Sequence, residues 1–311
     1  MSRLKPHCRP QKEALPITMS PFLPEPASSV TIERPCLYLV ATPIGNLGDI
    51  SLRALGVLAE CDLLFAEDTR NTLRLLDHYG ISRKSQALHE HNERSLAPGL
   101  ILRLRQEQLS MALVSDAGTP LISDPGFPLV QAALSEGVPV RAIPGANAAL
   151  TALCVSGMPT DRFIYEGFLP PREQAARSRL SALASNTRTL IFYESPRRAK
   201  QTLRIMREVF GDNRPACVCR ELTKLHETHY RGNLAEIEAA IDADPFGDAG
   251  EFVLLVGPAP EEVADAREIG RVLALLSTEV SRRTAIDLTA KILGRPRNEV
   301  YTFALQDEPK A

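Results

Sequence analysis

Between Met111 and Gly126 the chain reads M-A-L-V-S-D-A-G-T-P-L-I-S-D-P-G, and this stretch restricts the possible folds more than any other. Residues 111–114 are a short apolar run, which predicts a buried strand. The run breaks abruptly into Ser115, Asp116, Gly118, Pro120, Asp124, Pro125 and Gly126, a long turn-rich loop, before apolar residues resume. A strand followed by such a loop has the shape of an α/β ligand loop, because ligands of open α/β sheets sit beyond the carboxyl ends of the strands. Asp116 is then placed to accept hydrogen bonds from a ligand's amine or hydroxyl groups. Gly118 would let backbone approach the ligand, and Pro120 and Pro125 would stiffen the loop.

The same order of run, loop and helix recurs. C-L-Y-L-V-A from Cys36 breaks into Thr42, Pro43, Ile44, Gly45, Asn46, Leu47, Gly48 and Asp49, with a helix from about Ile50 and Asp49 as its expected N-cap. A strand at 61–66 ends in Glu67, Asp68, Thr69 and Arg70, and a short one at 85–88 ends in His89, Glu90, His91 and Asn92. A strand at 138–143 ends in Pro144, Gly145, Ala146 and Asn147, and a helix of small residues follows. Strands alternating with helices at this spacing predict a parallel or largely parallel sheet. Neither the dinucleotide fingerprint nor the P-loop is present. Beyond Gly157 a second sheet is expected from strands at 162–168, 189–193, 216–220, 228–231 and 252–256, with helices at 172–184, 196–210 and 234–241 between them. Three amphipathic helices at 269–276, 284–293 and 298–305 close the chain. Gly294, Arg295 and Pro296 form the turn between the last two, and Asn298 is a cap candidate. That spacing resembles helix-turn-helix.

A chain of 311 residues has room for two domains of ordinary size plus these helices. Residues 1–34 are rich in proline and read as a disordered arm. The formal net charge of −2 leaves no global basic field, so any nucleic-acid surface must be local. No apolar run reaches membrane-spanning length, and the N-terminus lacks the apolar core of a signal peptide. Six cysteines without such a peptide point to reduced thiols in the cytoplasm. Cys36, Cys61 and Cys154 are expected in the core, and Cys217 and Cys219 on one face of a strand. No ligand set has zinc spacing, so no metal is expected.

Five motifs occur in register: T-P-I-G-N-L-G-D-I from Thr42, A-E-D-T-R from Ala66, S-D-A-G-T-P-L-I-S-D-P-G from Ser115, P-G-A-N-A from Pro144 and Y-E-S-P-R-R from Tyr193. Together they resemble the tetrapyrrole methylase superfamily and, within it, the bacterial small-subunit ribosomal RNA (cytidine-2′-O)-methyltransferases. The likeness runs from about Cys36 to the C-terminus. It implies two α/β/α domains, at 35–157 and 158–260, with a cofactor cleft between them and a helical RNA-recognition domain at 261–311. It also implies S-adenosyl-L-methionine as cofactor, a homodimer, and methylation of a cytidine in the decoding region of 16S rRNA, in the small ribosomal subunit.

For the cofactor, Pro43 and Gly45 are expected to form one wall and Asp116, Gly118 and Ile122 the other. Asn147 and Ala148 match the family position where a small polar residue and an alanine meet the cofactor, although the family usually has serine or threonine at the first. Phe168, Leu169 and Phe192 of the second domain are expected to close over it. Methyl transfer to a hydroxyl gains from positioning and from a proton acceptor. Glu67, Asp68, Glu90, His91 and Glu194 lie near strand ends, and Asp68 and Glu194 are the preferred catalytic candidates. RNA affinity should come from phosphate contacts. Arg70, a cluster including Arg197, Arg198 and Lys200, and a second including Arg282, Arg283, Arg295 and Arg297 are the candidates. The competing readings are a methylase of small tetrapyrroles and a regulator that binds the cofactor only as an effector.

Overall fold

The computed structural model describes residues 30–306, so the expected disordered arm lies outside the described residues up to position 29. Residues 30–34 depart from that expectation. Val30 and Ile32 pack against the first core, and Arg34 pairs with Asp62 at 2.7 Å.

Ten elements alternate in the first unit: β1 (Cys36–Val40), α1 (Leu52–Glu60), β2 (Leu63–Ala66), α2 (Thr69–His78), β3 (Gln86–Ala87), α3 (Glu93–Gln106), β4 (Ser110–Val114), α4 (Phe127–Ser135), β5 (Val140–Ile143) and α5 (Ala148–Ser156). The strands form one sheet in the order β3-β2-β4-β1-β5, and every pairing is parallel. All of its carboxyl ends therefore lie along one edge. Ala54, Val57 and Leu58 of α1 and Leu76 of α2 fill one face, and Ile101 and Leu104 of α3 with Leu129 and Ala133 of α4 fill the other. Helices on both faces explain why β4 is an uninterrupted apolar run with every residue buried. The first helix starts later than expected. Asn46 accepts a hydrogen bond from Gly48 N and forms a short 3₁₀ turn at Leu47–Asp49. The N-cap of α1 is Ser51, whose side chain accepts from Ala54 N, and not Asp49.

The second sheet contains β6 (Phe163–Phe168), β7 (Thr189–Glu194), β8 (Pro215–Arg220), β9 (Thr228–Asn233) and β10 (Phe252–Val256), with α6 (Glu173–Leu183), α7 (Pro196–Phe210) and α8 (Leu234–Ala243) between them. Its order is β6-β7-β10-β8-β9; β6 and β7 are parallel and the other pairs antiparallel. The three helices cover one face through Leu180, Leu203 and Ile237. On the other face Ile191, Cys217, Cys219, Val253 and Leu255 meet Ala149, Ala152 and Leu153 of α5. The last helix of the first unit thus supplies the third layer of the second.

A bulge interrupts β6. Tyr165 lies opposite Ile191 and Phe168 opposite Tyr193, with Gly167 at φ +65° absorbing the extra residue. Two of the three aromatic rings of β6 consequently reach Tyr193, at centroid distances of 5.1 Å for Tyr165 and 5.7 Å for Phe168.

Cys217 and Cys219 share a face as expected, with sulfurs 3.8 Å apart, and Cys36 and Cys61 are buried. Cys154 is not in the core. α5 buries Ala149, Ala152, Leu153 and Ser156, and on a 3.6-residue period that turns Cys154 outward beside exposed Leu150.

Helices α9 (Glu261–Ser277), α10 (Arg282–Leu293) and α11 (Arg297–Gln306) end the described chain. They enclose a small core of Ile269, Leu273, Ile286, Val300 and Ala304. Gly294, left-handed at φ +62°, caps α10. Because α11 begins at Arg297, Asn298 lies inside its first turn and is not its cap. Among the described residues no helix is long and apolar enough to cross a membrane.

Candidate functional site: an anionic cleft between the sheets

The loops after β1, β2, β4 and β5 meet where the first sheet faces the second. Thr42 N donates to Gly118 O at 2.9 Å and Gly118 N returns to Thr42 O at 3.0 Å, joining the first loop to the ligand loop. Gly118 has φ +83°, and a Cβ there would stand 3.2 Å from Ile44 Cγ2. Thr119 Oγ1 donates to Ala146 O at 3.1 Å and adds the loop after β5. At the far end of the ligand loop, Gly126 N donates to the buried carboxylate of Glu93. Between these anchors Leu121 and Ser123 hold φ of +73° and +69°. Left-handed conformations in residues with side chains cost of order 1–3 kcal/mol each and persist only where surroundings enforce them. Ser123 Oγ also reaches Tyr165 Oη of the second sheet at 2.6 Å.

These loops and the β7–β10 edge enclose a cleft of about 400 Å³. Ile44, Ile122, Ala148, Phe168 and Val253 give it an apolar lining. Its ionisable lining groups are Glu67, Asp116, Asp124, Tyr193, Glu194 and Glu251, and among the described residues no Lys, Arg or His lines it. Two of the carboxylates are neutralised from behind. Glu194 accepts from Ser195 N at 2.8 Å and from Thr202 Oγ1 at 2.7 Å, and pairs with Arg198 at 3.3 Å. Glu251 pairs with Lys224 at 3.2 Å. Asp116 accepts from Asp68 N at 3.0 Å and Asn71 Nδ2 at 2.9 Å. Burial, then the negative charge of Asp116, pushes Glu67 up. Burial, then the charge of Glu67, pushes Asp124 up to about 7, against the opposing hydrogen bond of Ser115.

A second cleft of about 570 Å³ adjoins across Asp116 and Ala117 and is lined by Pro43, Gly45, Asn71, Arg74 and Lys224. A Cβ on Gly45 would stand 2.4 Å from Lys224 Cγ, so the glycine makes room for that side chain.

The family model for tetrapyrrole (corrin/porphyrin) methylases matches residues 36–238, and that for the RsmI C-terminal HTH domain matches residues 263–308. The chain belongs to the tetrapyrrole methylase family. Relatives called ribosomal RNA small subunit methyltransferase I include one from Xylella fastidiosa, 48% identical, covering 85% of this chain and 97% of its own length. Another from Pseudomonas aeruginosa is 48% identical over 88% of this chain and 98% of its own, and one from Escherichia coli O157:H7 is 45% identical over 88% and 95%. Solved structures of diphthine synthase and of the methyltransferase CobJ share the fold. Their TM-scores are 0.57 at 16% identity, covering 71% of this chain and 90% of that one, and 0.53 at 20% identity, covering 72% and 94%. The chain is therefore a methyltransferase, with S-adenosyl-L-methionine as its cofactor. The first cleft suits that molecule, because an apolar slot ringed by carboxylates and without a cation favours a sulfonium ligand over a phosphate-bearing one.

The methylase places its expected site residues unevenly. Asp116, Gly118, Ile122, Asn147, Ala148 and Phe168 line the first cleft, while Pro43 and Gly45 line the second, so the single site read from the motifs is two adjoining ones. Asn147 also caps α5, its side chain accepting from Leu150 N. Phe192 lines neither cleft. It is fully buried with Leu169 beneath the helices of the second sheet, and Tyr193, next on the strand, takes the cleft side. The alternation L-I-F-Y held that signal, since Phe192 keeps step with Leu190 and Tyr193 with Ile191.

Both preferred proton acceptors are spent elsewhere. Asp68 caps α2, pairs with Arg70 at 2.6 Å and lines neither cleft. The Arg70 guanidinium holds its carboxyl down at about 2. Glu194, whose carboxylate meets Ser195 N, the Ser195 and Thr202 hydroxyls and Arg198, is a structural anchor for the start of α7. Asp124 was overlooked, although it is a carboxylate inside the ligand loop itself.

The first basic cluster is largely neutralised. Arg198 donates to the carbonyls of Leu169 and Pro170, Lys200 pairs with Asp242 at 3.6 Å, and Arg204 with Glu238 at 3.3 Å. The acids Glu238 and Asp242 come from α8, far along the chain from the cations they meet. Arg197 is exposed without an ion-pair partner among the described residues. At the C-terminus Arg283 is exposed, Arg295 approaches Glu299 at 3.8 Å, Arg297 pairs with Asp287, and Arg282 donates to Ala304 O.

Proposed function

We propose that this methylase transfers a methyl group to the ribose 2′-oxygen of a cytidine in the decoding region of 16S rRNA, within the small ribosomal subunit, as a cytoplasmic homodimer. The observation that carries the reading is the pairing of an acidic cleft, with no cation in its lining among the described residues, with a separate helical unit whose residues 282–297 carry Arg282, Arg283, Lys291, Arg295 and Arg297 against Asp287 alone. RNA phosphates are repelled from the first and attracted to the second. The names of the relatives support the same substrate.

Bound in the first cleft, the cofactor supplies an electrophilic methyl carbon on a cationic sulfur. The protein's part is positioning and exclusion of water, which alone supplies a large share of such a rate. Ile44, Ile122 and Phe168 form the apolar lining. Asp116, held by Asp68 N and Asn71, presents acceptor charge at the boundary of the two clefts. The acceptor nucleoside reaches the first cleft by way of the second, across Asp116 and Ala117, with Arg74 at its wall for phosphate. The 2′-hydroxyl distinguishes RNA from DNA at that point.

Small subunits whose target cytidine is replaced by 2′-deoxycytidine test the reading. They should bind with nearly unchanged affinity and accept no methyl, as seen by mass spectrometry of the released nucleosides. Methyl on the cytosine ring, or persisting at the target in the deoxy substrate, overturns the 2′-O assignment.

A further inference from the structure

We infer that Asp124 is the catalytic residue that receives the proton of the attacking 2′-hydroxyl, an assignment that rests on the ribose reading above. Five carboxylates line the first cleft, and their partners separate them. Glu194 and Glu251 are paired with Arg198 and Lys224. Asp116 has one donor on each oxygen. Glu67 accepts the Asp116 backbone N–H. Asp124 has only the Ser115 hydroxyl favouring its ionised form, and among the described residues no cation lines its cleft.

The backbone holds Asp124 in place. It sits between the two fixed points of the ligand loop, the Thr42–Gly118 bridge and the Gly126–Glu93 hydrogen bond, directly after left-handed Ser123. Such strain in a doubly anchored loop marks a residue held to a position. The charged and titratable groups that face it are Glu67 from the end of β2, Asp116 from the end of β4, Tyr165 from β6 and Tyr193 from β7. Burial first, then the negative charges of Glu67 and Asp116, raise Asp124 so that it takes up its proton at about 7. A general base works best near the operating pH, where it is both ionised and basic. A cationic ligand in the cleft favours the ionised form, so the base is readied as the methyl donor enters.

In the step itself the 2′-oxygen forms its bond to the methyl carbon as the carbon–sulfur bond breaks. The bonding pair stays on sulfur, which becomes a neutral thioether. The hydroxyl proton passes to an Asp124 carboxylate oxygen and later to solvent.

The test compares wild type, Asp124→Asn and Glu67→Gln in single-turnover methylation of small subunits at saturating cofactor. For Asp124→Asn the rate should fall by about a hundredfold or more, while calorimetry shows cofactor affinity within about threefold, on the scale where tenfold is 1.4 kcal/mol. The wild-type rate should rise with pH to a plateau, with the limb at saturating cofactor lying below the ligand-free value of about 7 because the cationic ligand favours the ionised Asp124. In Glu67→Gln that rise should move to lower pH, because a like charge has been removed. Cofactor binding to wild type at neutral pH, measured in buffers of different ionisation enthalpy, should release protons, and Asp124→Asn should release fewer. A folded Asp124→Asn with a near-normal rate, a pH limb unmoved in Glu67→Gln, or equal proton release would each overturn the assignment. Loss of affinity with a normal saturated rate would make Asp124 a cofactor ligand instead and overturn it as well. A wild-type protein silent on small subunits would overturn the ribose reading and this assignment together, a failure recognisable because no substitution is involved.

Discussion

The cleft and the C-terminal helices differ in charge and in how their charges are held. In the cleft, Glu67, Asp116 and Asp124 face inward from strand ends clamped by backbone hydrogen bonds, and no cation lines the wall among the described residues. On the C-terminal unit, Arg283, Lys291, Arg295 and Arg297 lie on exposed helix faces or at their turn, opposed chiefly by Asp287 and Glu299. A buried, fixed anion selects a small ligand by charge and shape. An exposed cation contributes phosphate affinity that depends on salt. Cofactor selection and RNA affinity are thereby separated, and each should fail without the other.

The largest expected effect breaks the first half alone. Gly118→Val forces a branched side chain into φ +83° and onto Ile44, and disturbs the bridge to Thr42. Cofactor affinity measured by calorimetry should fall by more than about a hundredfold, equivalent to about 2.8 kcal/mol, with RNA binding unchanged. A folded variant that keeps its affinity would show the bridge to be dispensable. The second half breaks with a smaller effect. Replacing Arg283 and Arg295 by alanine should weaken RNA binding several-fold and lower the slope of log affinity against log salt by about one to two. Lys200→Ala, which removes a partner of Asp242, should leave the slope alone. Equal slopes for all variants would mean that both basic clusters serve RNA alike.

The smallest effect sharpens the comparison, because it concerns what the fixed anions cost the fold. The Asp124 carboxylate takes up its proton at about 7 in the folded protein, against about 3.9 in an unfolded chain. Between those values the folded state binds the extra proton, so stability falls as pH rises from about 4 to about 7 and is then level. Asp124→Asn lacks this dependence. Its melting temperature should exceed that of wild type by a few degrees at pH 8 and by progressively less toward pH 4. A gap that is constant with pH would place Asp124 in a more solvated setting.

What could be read from the residues follows from physics that is local. β1 and β4 announce themselves because strands buried on both faces are continuous apolar runs, and their loops because glycine and proline stop them. Cleft-lining Gly118 and Ile122 came with the loop. Contacts made across the fold were less legible. The partners of Lys200 and Arg204 arrive on α8, so a charge count along α7 overstated its positive face. Asp68 stood at a strand end as a base would, yet the helix it precedes uses it as a cap. Asp124 gained its character only when β2 brought Glu67 against the same cleft. Cys154 was misplaced because α5 is apolar on more sides than it buries.

The bulge in β6 means that the aromatic wall is written partly in the number of residues and not only in their kinds. With regular alternation, Tyr165 and Phe168 would point to opposite sides of the sheet; the extra position at Glu166 brings both round to Tyr193. Removing Glu166 would leave Tyr165 and Phe168 two positions apart and still on one face, whereas straightening the bulge at constant length, for example by a residue that cannot hold the +65° φ of Gly167, would turn Phe168 toward the helices and strip one ring from the cleft. In this strand loss of the bulge at constant length is therefore the graver lesion, and homologues should either keep the glycine that holds it or lack the extra residue altogether.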